Sequence, residues 1–75
     1  MTAMGRTPLL TADLTFARAM RGRVYSTLAD WDEERAPVVG ETVLVADGEG
    51  RPYEAKIERI DPDGTIVLMV SAFAA

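Results

Sequence analysis

Residues 40–70, GETVLVADGEGRPYEAKIERIDPDGTIVLMV, hold three strand-like runs separated by two turn signals and little else. A chain built this way is confined to a small, tightly connected β-sheet, half or more of a small barrel. Val43 and Val45 alternate in the first run. In the second, Tyr53, Ala55 and Ile57 alternate with Glu54, Lys56 and Glu58, the period of two that marks a strand with one face in water. The third run is apolar on both faces. Ile66, Leu68 and Val70 point one way and Val67 and Met69 the other, so both faces need cover. Asp47-Gly48-Glu49-Gly50 supplies one hairpin turn. Asp61-Pro62-Asp63-Gly64, with Asp first, Pro second and Gly fourth, predicts a type I turn for the other.

Upstream the pattern weakens. Residues 1–12 contain Pro8 and three threonines without helical apolar spacing, and they read as an extended arm preceding a single domain at 13–75. Residues 13–28 admit two readings. Phe16, Arg18 and Met20, then Val24, Ser26 and Leu28, alternate as two strands around Arg21-Gly22. Alternatively Asp13 caps a helix that Gly22 stops. The reading favoured is a helical or irregular segment at 13–20 and a strand at 23–28. Thr27 and Asp30 form a weak capping box ahead of Pro37, which predicts a short helix or turn, with Trp31 folded onto the barrel.

A domain of 75 residues buries only about 60 % of the surface its unfolded chain exposes. Cysteine and histidine are absent, which removes disulfides and the common zinc ligand sets as sources of extra stability. Hydrophobic residues make up 48 % of the chain. That points to apolar surface shared with another protein, or with a second copy of this one. The net charge of −4 is uneven. Residues 1–25 carry Arg6, Arg18, Arg21 and Arg23 against Asp13, whereas residues 26–50 carry seven acids against Arg35. An electrostatically oriented contact follows from that asymmetry. The pI of about 4.6 points away from nucleic acid, because phosphate neutralisation dominates such binding. The start of the chain lacks a signal-peptide core, and the apolar stretch 66–75 falls short of the roughly 20 residues that span a bilayer. A cytoplasmic protein is expected, or a virion component assembled there.

Motifs for chemistry are sparse. Asp30, Asp32, Glu34 and Glu41 occupy positions 1, 3, 5 and 12 of a calcium loop, but Arg35 stands where the sharp turn needs Gly, so the expectation is a solvated acidic face. No base–orienter pair is legible around Ser26, Ser71, the threonines or Lys56, and Glu54 with Glu58 reads as solubilising charge. Gly48-x-Gly50 lacks the following helix that would aim amides at a phosphate. A non-enzymatic protein without metal or cofactor is the expectation.

Gly40-x-x-Val43-x-Val45, Asp47, Gly50, Tyr53-x-Ala55-x-Ile57-x-x-Ile60 and Asp63-Gly64 together resemble Tudor and KOW-type modules, members of the Src-homology-three-like small barrels. The resemblance implies a mainly β chain, a five-stranded barrel with an N-terminal arm and one short helix. In Tudor domains aromatic residues hold methylated side chains by cation–π contact. Tyr53 falls at the first such position, and Phe73 could stand for a later one. KOW modules engage RNA or ribosome and polymerase surfaces, which would make this a transcription or translation accessory. Phage head-closure and head-to-tail connector proteins are similar in their economy, being small barrels stabilised by ring assembly. The expected role is an interaction module that oligomerises or docks on a larger assembly. Its expected working surface is Leu44, Val67, Met69 and Phe73, with Trp31, Tyr53, Arg18, Arg21 and Arg23 as flanking anchors.

Overall fold

The computed structural model describes residues 7–48 and 50–74. Five strands form one sheet: β1 (Leu9–Thr11), β2 (Arg23–Thr27), β3 (Thr42–Ala46), β4 (Tyr53–Ile60) and β5 (Thr65–Val70), in the order β1-β3-β4-β5-β2. The sheet curls into a half-barrel around one core. Strands β3, β4 and β5 run as an antiparallel meander, and β2 adds antiparallel to β5; the turn expected at 47–50 includes Glu49, which lies outside the described residues. In the second turn the Asp61 carbonyl accepts from the Gly64 amide at 3.0 Å, the bond that closes a β-turn.

Alternation places Leu10, Val24, Val43, Val45, Ala55, Ile57, Ile66, Leu68 and Val70 on the concave face, where they form the core. In β4 the register shifts between Ile57 and Arg59, a bulge that leaves both Glu58 and Arg59 exposed. The two edge strands approach one another without a backbone ladder between them. A side chain bridges the seam instead: the Ser26 hydroxyl, itself buried, donates to the Thr11 carbonyl at 2.8 Å.

Three expectations change in detail. The arm is part of the sheet, since Leu9–Thr11 pairs in parallel with Leu44–Ala46 and Leu10 lies in the core; a boundary at residue 12 therefore cuts through packed structure, while residues 1–6 lie outside those described. The short helix is a single 3-10 turn, Leu28–Asp30, in which the Thr27 hydroxyl accepts from the Ala29 amide rather than from the amide of Asp30. Residues 15–22 are a series of turns, of the irregular kind, and the following strand ends at Thr27.

Candidate docking surface

Strand directions give the half-barrel two distinct ends. The ends of β1, β3 and β5 and the starts of β2 and β4 share one, called here the upper end, so residues 12–22, 47–48, 50–52 and the 3-10 turn Ser71–Phe73 gather there. Residues 28–41 and the 61–64 turn gather at the lower end.

The upper end is built on the turn series. Asp13 opens it by accepting the Thr15 amide at 2.9 Å, and hydrogen bonding from the Thr15 side chain first and its amide second holds the Asp13 carboxyl below its ordinary range. The Gly22 amide then reaches back to the Ala17 carbonyl at 2.7 Å and the Arg21 amide to the Arg18 carbonyl at 3.1 Å, the paired bonds of a Schellman motif. Arg21 takes the left-handed position of that motif, at φ 58°. Ala17 is buried, whereas Phe16 is 66 % exposed and Met20 about half exposed. Together with Val24 and half-exposed Tyr25 they line an apolar groove of about 300 Å³ between the turns and β2, with Asp13 and Arg23 at its rim. Arg23 is tied to Glu58 by two bonds of 3.0 and 3.3 Å, which lower the Glu58 carboxyl.

A second groove lies beside it. Tyr53 and Phe73 meet with ring centroids 5.1 Å apart, and the Arg18 guanidinium sits 5.2 Å from the Phe73 ring. Leu14, Asp47, Gly50 and Arg51 complete the walls of this space, about 640 Å³.

The lower end carries the acidic run Asp30, Asp32, Glu33 and Glu34. Trp31 packs against the core and donates from Nε1 to the Arg35 carbonyl at 2.6 Å, while the Arg35 guanidinium lies 5.3 Å from the indole. Arg35 grips both oxygens of Glu41, and Glu41 also accepts the Val38 amide at 3.1 Å. Those bonds, the one from Arg35 foremost, hold the Glu41 carboxyl below its usual value. The clamp engages Glu41 away from Asp30, Asp32 and Glu34, and among the described residues no three acids gather as a metal site.

Of the residues singled out from sequence, Arg18, Arg21, Arg23, Tyr53 and Phe73 come together at the upper end. Trp31 is at the lower. Leu44 is half-buried on β3, opposite Leu9. Val67 faces away from the core and is 0 % exposed, with Tyr25 and Arg59 as its cross-strand partners. Met69 is half-buried between Arg23 and Lys56. Exposed large apolar residues fall in several places: Phe16, Met20 and Tyr25 at the groove, Val38 and Val39 at the lower end, and, singly, Leu9 opposite Leu44, Leu28 and Tyr53. The groove residues form one group and the two valines a second. The first group shows in sequence as the spacing of four between Phe16 and Met20, the second as a β-branched pair set between Pro37 and Gly40.

Compared with known proteins, the chain matches no family model, no curated protein and no solved structure. Among the described residues no helix is long and apolar enough to cross a membrane.

Proposed function

We propose that the chain is a non-enzymatic docking module whose upper end receives an apolar projection of a protein partner. The observation that carries this is the Phe16–Met20–Tyr25 groove. Three large apolar side chains are held in water around one concavity, in a domain too small to spend hydrophobic surface freely. Arg18 and Arg21 at the same end favour a partner whose projection is ringed by acids. A photo-crosslinking amino acid at position 16, with position 54 on the outer face of β4 as control, tests it in the producing cell. Protein adducts at 16 and none at 54 are expected. Adducts at neither position would refute the docking reading.

A second reading is favoured by the Tyr53–Phe73 pair. Two aromatic rings with a guanidinium already against one of them form a surface to which cations bind, so a methylated lysine or arginine of a partner could displace Arg18. Titration with methylated peptides, followed through amide shifts at residues 53 and 73, decides this reading. Unmoved resonances at millimolar peptide would end it.

A further inference from the structure

We propose that the occupant of the upper-end groove is a second copy of this chain, entering with the Val38-Val39 tip of its lower-end loop, so that subunits join head to tail. This rests on the docking reading and names its partner.

Four features of the tip and groove carry the inference. Val38 and Val39 are 59 % and 57 % exposed, an adjacent β-branched pair that a folded chain gains nothing by leaving in water. The tip is also pre-organised. Glu41 holds the Val38 amide at 3.1 Å and is itself gripped by Arg35, and the Gly40 amide is pinned to the Ile57 carbonyl at 2.7 Å. Burying such a tip therefore costs little ordering entropy. The groove, at about 300 Å³, suits a pair of branched aliphatic side chains better than a large cofactor. Charge is complementary at the level of the two ends: Asp32, Glu33 and Glu34 precede the tip, and Arg18 and Arg21 belong to the turn series that builds the upper end, where Arg23 and Asp13 line the groove itself. Like ends would repel and unlike ends attract, which selects the head-to-tail arrangement over a two-fold one.

The two surfaces sit at opposite ends of the sheet, so one subunit cannot satisfy itself. Each contact leaves one tip and one groove open, and the assembly closes into a ring or continues as a filament according to the rotation between subunits. A standard interface takes about 800 Å² from each partner. That is affordable from the 5034 Å² the chain exposes.

The test uses the wild-type chain and two variants, Val38→Ser/Val39→Ser at the tip and Phe16→Ser/Met20→Ser at the groove, followed by sedimentation velocity. All four positions are exposed, and thermal unfolding checks that each variant folds; Phe16→Ser alone carries the same expectation should the double change disturb the turn. Wild type is expected to grow in mass with concentration and to shrink again as salt rises from about 50 to 500 mM. Each variant should be monomeric, its self-affinity reduced at least about 30-fold. An equimolar mixture of the two should give a species of two chains and nothing larger, because only one intact tip and one intact groove remain to meet. A wild type that stays monomeric at about 0.5 mM overturns the proposal, as does a mixture that stays monomeric while wild type assembles. If wild type is monomeric and the crosslinker at position 16 still captures a different protein, the self-partner falls and the docking reading stands. If it captures none, both fall.

Discussion

Arg21 and Gly22 show how a two-residue stretch controls the upper end. Arg21 sits at φ 58°, where a side chain is disfavoured by about 1–2 kcal/mol, while Gly22 at φ 95° would place an added Cβ 2.6 Å from the Val70 carbonyl oxygen. Gly22→Ala is therefore expected to cost roughly 2–3 kcal/mol, by strain and by pushing β2 off the end of β5. Arg21→Gly should be neutral or stabilise by up to about 1 kcal/mol, since relief of strain is offset by chain entropy. Chemical denaturation measures both, and a tolerated Gly22→Ala would contradict the close approach. Glu41 gives a residue-scale pH dependence. Its folded carboxyl is held low by Arg35, so its contribution is present above the ordinary glutamate range and is lost as pH falls below about 5 through the folded value. Glu41→Gln should lower the urea midpoint at pH 7 and flatten its decline in acid. An unchanged slope would mean that the clamp does not couple to folding.

At the level of elements, the seam between β1 and β2 is the weak join. These strands face one another as the edges of the sheet, and the Ser26 hydroxyl on the Thr11 carbonyl is the bridge between them. Ser26→Ala leaves that carbonyl short of a donor and should cost about 1–2 kcal/mol, with faster amide exchange in residues 9–12 than in β3–β5. Uniform exchange across all strands would assign the loss to packing instead. The parallel pairing of β1 with β3 was not legible in the sequence. Three residues with one Leu on each face carry no direction, and only the fit of Leu10 beside Val45 chooses it. The β3–β4–β5 meander was legible, because its turns and its alternation agree with each other. The 13–22 segment was legible only as helical or irregular, because its turn bonds satisfy the backbone without a repeating period.

For the molecule as a whole, size is the controlling quantity. A chain of 75 residues with one core has little stability in reserve, so a single edge-strand side chain matters to all of it. Leu10→Ala should cost about 3 kcal/mol and lower the melting temperature by roughly 12–24 °C. A drop of a few degrees would show β1 to be dispensable. The same scale bears on the outer face of β5. A strand greasy on both faces does demand cover, and Val67 on that face is 0 % exposed, with Tyr25 and Arg59 as its cross-strand partners.

The sequence by itself determined the β class, the meander and its turns, and the uneven charge along the chain, because these depend on local periodicity and composition. Only the tertiary structure decided which apolar residues stay in water and that the arginines of residues 18–23 and the acids of residues 30–34 lie at opposite ends of the sheet. Both follow from strand order and curl, which bring distant residues into register and which no local pattern encodes.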